Sequence, residues 1–165
     1  MKILIIIAGF FPGEKYGGPS VSVDNFCSFM TECDCYIVTS NHDLGEHKPY
    51  EGIVTGWNKR GRANVLYLPD NEMCYSTLHR VMMEIDPDIL YLQSLFELKT
   101  LQSLKIAKKL GIKVVLAPRG QLCKGAFDKK YKKIPFIYCL RALHLLENVT
   151  YQSTSDEETM TIKKY

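Results

Sequence analysis

Ile3, Leu4, Ile5, Ile6 and Ile7 form an unbroken apolar run that passes through Ala8 into a loop holding Gly9, Pro12, Gly13, Gly17, Gly18 and Pro19. No polar residue alternates within the run, so it fits a strand buried on both faces of a parallel sheet. Pro12 and Pro19 forbid its continuation as strand or helix. Gly17 and Gly18 lack a Cβ, so the backbone there can take positive φ and come close to a ligand. The helical pattern opening near Ser20 then offers free N–H groups that favour an anion. Strand, glycine-rich loop and helix together suit a phosphate-bearing ligand; a tight turn that binds nothing is the alternative reading of the same residues.

The rest of the chain repeats the alternation. Val21, Val23, Phe26, Cys27 and Met30 recur at helical spacing, with Ser20 or Ser22 as N-cap. A β-prone run covers 35–39, and 41–64 reads as a long excursion outside the core, packed down by Trp57. Val65 to Leu68 predicts a strand, and 75–85 a helix with Leu78, Val81, Met82 and Ile85 as its stripe. Strand 88–92, helix 98–110 closed by Gly111, and strand 113–117 follow. A basic, aromatic helix from about Lys129 to Leu146 precedes strand 149–152. Ser155 and Glu158 then form a capping box for a last helix. This order predicts an α/β fold, a Rossmann-like doubly wound parallel sheet flanked by helices. Its ligand site lies beyond the carboxyl ends of the strands, at 9–18, 40–42, 93–97, 118–122 and 153–155.

At 165 residues and 46% hydrophobic content the chain matches a single domain. A net charge of +3 gives no reason to expect a nucleic-acid partner. The six cysteines, Cys27, Cys33, Cys35, Cys74, Cys123 and Cys139, show no paired spacing and suit packed, reduced thiols rather than disulfides or zinc. The first apolar run is short for a secretory leader and lacks a small-residue cleavage site. A cytoplasmic chain is therefore expected, with Asn148 in a coincidental sequon and no membrane span.

Five motifs stand in order at the strand ends. They are Phe10, Phe11 and Pro12; Gly17, Gly18, Pro19 and Ser20; Pro87 to Tyr91; Ala117 to Leu122; and Thr154 to Glu158. In this order the chain resembles, nearly end to end, the N-terminal domain of the family four (group 1) GT-B glycosyltransferases, which are retaining enzymes. The resemblance implies that residues 1–165 are the acceptor-side, N-terminal half of a GT-B fold, with the donor-binding C-terminal domain absent from this chain. It implies a nucleotide-sugar donor as substrate, no cofactor or metal, and a saccharide or lipid-linked acceptor, with bacterial capsular or surface polysaccharide as the setting. Gly17 and Gly18 match the loop whose N–H groups approach the donor diphosphate. Arg119 occupies the place where many relatives carry a histidine, near the reacting sugar. A guanidinium stays protonated and cannot act as general base, so Arg119 is expected to neutralise phosphate charge or orient a hydroxyl; a structural salt bridge to a loop carboxylate is the other reading.

Other polar residues carry less. His42 and His47 lie in or near strand-end loops, His79 and His144 fall in helical patterns, and Glu14 and Glu97 are loop carboxylates without a spacing that makes a catalytic pair. Lys124, Lys129, Lys130, Lys132 and Lys133, interleaved with Phe127, Tyr131, Phe136, Ile137 and Tyr138, fit a helix lying on the inner face of a membrane. A solvated lysine face over a core of Phe136, Ile137, Leu140 and Leu143 is the alternative, and the preferred reading, because an ordinary surface helix has the same pattern. Two further classes stay open: a nucleotide-cofactor dehydrogenase, against which stand the missing GxGxxG and the lack of an acid closing the second strand at Thr39 and Ser40, and a noncatalytic or membrane-docking subunit that completes a site with a separate donor-binding chain.

Overall fold

The computed structural model describes residues 1–123 and 130–164. Lys2–Ile6 forms the central strand β1, bounded by β2 (Asp34–Ser40) on one side and β5 (Ile89–Leu92) on the other, both parallel to it. β4 (Ala63–Leu68) continues the sheet beyond β2, while β6 (Lys113–Leu116) and β7 (Val149–Tyr151) continue it beyond β5. Those six parallel strands, numbered among themselves, run 3-2-1-4-5-6, the dinucleotide-binding Rossmann order, and the order reverses between β1 and β5. A seventh strand, β3 (Trp57–Arg60), pairs antiparallel with the outer side of β4.

Both faces of β1 are buried. Leu4 and Ile6 join a core filled by α2 (Tyr75–Ile85), α3 (Leu98–Leu110) and α4 (Lys130–Ala142), while Ile3, Ile5 and Ile7 face α1 (Gly18–Phe29) with Val23 and Cys27. Each such side chain removed from water contributes about 1.5–3 kcal/mol, which explains why an unbroken apolar run makes the middle strand. α2 carries the expected stripe of Leu78, Val81, Met82 and Ile85. α3 ends on Gly111 in the left-handed region.

Several expectations need correction. α1 starts at Gly18 with Gly17 as N-cap, two residues before the expected start, so neither Ser20 nor Ser22 caps it. Ser20 is buried and its hydroxyl donates to the Gly9 carbonyl at 3.0 Å, while Val21, expected on the apolar face, is exposed. The excursion 41–64 is not wholly irregular, since it contains β3; Trp57 does pack, edge-on to Tyr36. All six cysteines are free thiols, but only Cys27 and Cys35 are buried. The basic helix stops at Ala142 because His144, with φ 54°, turns the chain left-handed, which also places His144 outside a helix. Ile137 and Leu140 are core, but Leu143 is exposed.

Lys133 is not a surface lysine. Its Nζ donates to the Gln121 carbonyl at 3.1 Å and lies over the Phe96 ring. Lys124 and Lys129, with Phe127, lie outside the described residues, as do the side chains of Lys130 and Lys132. Tyr131 and Tyr138 are exposed on α4. Among the described residues no helix is long and apolar enough to cross a membrane.

Candidate functional site

The loop between β1 and α1 sits over the carboxyl end of the central strand, and its neighbours hold it in shape. Phe10 is fully buried. The Tyr67 hydroxyl donates to the Phe11 carbonyl at 2.6 Å, and the Arg60 guanidinium lies 4.3 Å over the Phe11 ring. Asp43, after β2, accepts from the Glu14 and Lys15 backbone N–H groups at 2.9 and 3.2 Å. Burial works to raise the Asp43 pKa, but those N–H donors, that of Leu44 and the Lys15 ammonium outweigh it and hold the carboxyl below its usual range. Gly9 is where the Tyr16 ring presses on the loop, leaving no room for a Cβ.

Gly17 has φ 63° and ψ −137°, a conformation open in practice only to glycine, and it leads into Gly18 at the first position of α1. Both are exposed, and a Cβ on either would meet nothing within 4 Å. No acidic residue stands in the first turn of α1, so the N–H groups there keep their positive field. The structure thus places an open, glycine-lined helix N-terminus beside the strand-order reversal.

Arg119 follows β6 and reaches across to the same place. Its Nη1 donates to the Ser22 hydroxyl at 3.2 Å, its Nε to Gln93 Oε1 at 2.7 Å, and its Nη2 to the Tyr91 hydroxyl at 3.4 Å. Ser22 is one helical turn beyond Gly18, so the guanidinium lies along the helix face that Gly18 opens. Among the described residues the partners of Arg119 are neutral. The alternative of a salt bridge to a loop carboxylate is therefore not what these contacts form, and the positive charge remains available to a ligand.

Gln93, Tyr91 and Ser22 orient this cation, with Gln152 behind Tyr91; the sequence placed Gln93 only in a strand-end stretch, Tyr91 only in a strand motif and Ser22 as an N-cap, and gave Gln152 no role. The Tyr91 hydroxyl donates to Gln152 Oε1, and the buried Gln93 Nε2 has no hydrogen-bond partner among the described residues. Their one legible signal was position, at the ends of β5 and β7 and one turn into α1. Glu158 is a second addition. It is fully buried and accepts from Gly120 N at 2.6 Å and from Thr154 N and Oγ1 at 3.0 Å, while its own N–H donates to Ser155 Oγ at 3.2 Å. The capping box is half formed at Ser155, and its carboxylate has been redirected to fix the turn behind Arg119.

The remaining candidates do not converge on Gly17, Gly18 and Arg119. His42 Nε2 lies 3.2 Å from Asp70 and its Nδ1 3.0 Å from the Asp43 carbonyl, so both ring nitrogens are engaged. His47 is exposed, 6.2 Å from His42 between ring centres. Glu14 is exposed, and Glu97 pairs with Lys99 at 3.0 Å before α3. His79 stacks on Tyr75, and His144 pairs with Glu147 at 2.5 Å. No group of three or more potential metal ligands occurs among the described residues.

The sheet order, with ligand-facing loops at the strand ends, decides the fold. It is Rossmann-like. No protein-family model matches the chain, and no curated protein sequence does either. Among solved structures it is similar to the UDP-GlcNAc 2-epimerase from Methanocaldococcus jannaschii, with 17% identity and a TM-score of 0.55 over 99% of this chain and 42% of that one. It is similar also to the UDP-glucose 4-epimerase from Thermotoga maritima, solved with UDP-glucose, with 12% identity and a TM-score of 0.53 over 93% of this chain and 54% of that one. The chain thus spans about half the length of these structures or less, and the likeness at such identities is one of fold.

Proposed function

We propose that this chain is the acceptor-side, N-terminal domain of a glycosyltransferase that moves a sugar from a nucleotide-sugar donor to a saccharide or lipid-linked acceptor of surface-polysaccharide biosynthesis, on the cytoplasmic side of the membrane. A second α/β domain supplies most of the donor pocket. The observation that carries the reading is the meeting of exposed Gly17 and Gly18 with the guanidinium of Arg119, which has no carboxylate partner among the described residues, on one face of α1. Helix N–H groups and a planar cation are what a diphosphate requires. Both structural neighbours carry UDP-sugars in their names, which supports that ligand class. The transferase assignment itself rests on the ordered strand-end motifs.

As the glycosidic bond breaks, charge grows on the leaving diphosphate. Arg119, preorganised by Gln93, Tyr91 and Ser22, would stabilise that charge without moving a proton. Gly18→Val places a branched side chain where the backbone must meet phosphate, in space that is open in the protein alone. UDP titrated calorimetrically into the chain should bind the parent and not this variant. Equal affinity for both would remove the loop from the site. In the full-length enzyme Arg119→Ala should lower kcat by about a hundredfold, with Arg119→Lys recovering part. A product assay that found only an epimerised UDP-sugar, with no transfer to any acceptor, would overturn the transferase reading.

A further inference from the structure

A doubly wound sheet places a helix between its second and third parallel strands, and this chain does not. Between β2 and β4 it runs through a loop, 41–56, and then β3. In the place of that helix a groove of about 570 Å³ lies between the loop 41–56, β4 and α2. That is ample for a small organic ligand.

Leu66 and Val81 contribute to its apolar lining. Trp57 forms part of the wall, half-buried and fixed edge-on against Tyr36, so the indole is rigid yet accessible. Asn41, Glu72, Arg80 and Glu84 line the same space. Glu84 and Arg80 face each other at 3.8 Å, and both are exposed; the side chains of Asn41 and Glu72 have no hydrogen-bond partner among the described residues. Two carboxylates against one guanidinium make the groove electronegative on balance, which disfavours a phosphate or a nucleotide. A sugar ring presents an apolar C–H face and a rim of hydroxyls, and this wall offers an aromatic plane beside unspent donors and acceptors.

We propose that this groove binds a neutral oligosaccharide, with Trp57 as the stacking platform and Asn41, Glu72, Arg80 and Glu84 bonding its hydroxyls. The assignment goes beyond the donor-site reading and stands without it. It also connects to that site, because Tyr67 lines the groove and holds the Phe11 carbonyl of the glycine-rich loop. One tyrosine is thus shared between the wall of the groove and the support of the glycine-rich loop.

Trp57 is the only tryptophan in the chain, so its emission reports on this groove alone. Maltotriose, cellotriose, chitotriose and UDP should each be titrated into the chain with excitation selective for indole. The expected result is a saturable change with at least one trisaccharide, none with UDP, and an affinity weaker by about tenfold in Glu72→Ala or Arg80→Ala, both exposed positions whose replacement leaves the core intact. Three results overturn the proposal: no response to any trisaccharide up to millimolar concentration, a response to UDP alone, or trisaccharide binding indifferent to both variants. UDP binding that is lost in Gly18→Val bears on the donor site only, so the two readings fail separately.

Discussion

Arg119 stands at φ 56° beside Gly120 at φ 76°, two successive left-handed residues of which only the second is glycine. Holding a long side chain there costs about 1 kcal/mol, and the guanidinium is the reason to accept it. Arg119→Gly should therefore melt at an equal or higher temperature than Arg119→Ala, while both lose UDP affinity alike. Calorimetric melting of the two variants checks the first half, and a lower melting temperature for the glycine variant would refute the strain. Cys74 provides a second test at this scale. It precedes α2, and the Ser76 hydroxyl with the Thr77 backbone and side chain holds its thiol down at about 7. Its alkylation by iodoacetamide should rise with pH through a midpoint near that value, and Cys74→Ser should remove that phase from the mass-spectrometric time course.

Glu158 ties two elements together, the start of α5 (Asp156–Lys164) and the turn after β6. Glu158→Ala would remove the carboxylate that accepts from the part-buried Gly120 and Thr154 N–H groups, at a cost of about 1–3 kcal/mol and a melting temperature lower by roughly 3–10 °C. It should also weaken UDP binding, since the turn that aims Arg119 loses its anchor; unchanged UDP affinity in the folded variant would separate Glu158 from the site. The elements themselves were legible where burial left a pattern. The unbroken run at β1, the stripe of α2 and the glycine after α3 each follow from which side chains must leave water. β3 was not legible, because Trp57, Asn58, Lys59 and Arg60 show neither alternation nor apolarity; the strand exists through its pairing with β4 and the packing of Trp57 on Tyr36. The start of α1 was misplaced because a glycine and a proline normally argue against helix, although proline suits the first turn, where its missing N–H is not needed.

In the whole molecule, the same logic explains what could be read of the site. Gly17, Gly18 and Arg119 belong to loops that any parallel sheet delivers to one end, so strand order alone brings them together. The contacts that orient Arg119 join Ser22 to a residue 97 positions away, and no local pattern encodes such a pairing. On the reading proposed above, these 165 residues hold a donor diphosphate at one open face and cannot exclude water from it. The chain alone should bind UDP yet release no sugar from UDP-glucose in a coupled assay, and measurable turnover would show that the second domain is dispensable.

β4 carries Ala63, Val65, Leu66 and Leu68 buried along six residues, and its outer edge would be a long, apolar template for a strand from another chain. β3 covers that edge. It is four residues long, includes the cationic Lys59 and Arg60, and is bracketed by Gly56 and Gly61 at positive φ, so it offers a visiting strand a short, charged and abruptly ending partner. The antiparallel strip that takes the place of a helix is thus also a guard against self-association, and shortening it to enlarge the groove would bare an apolar edge on which other chains could add.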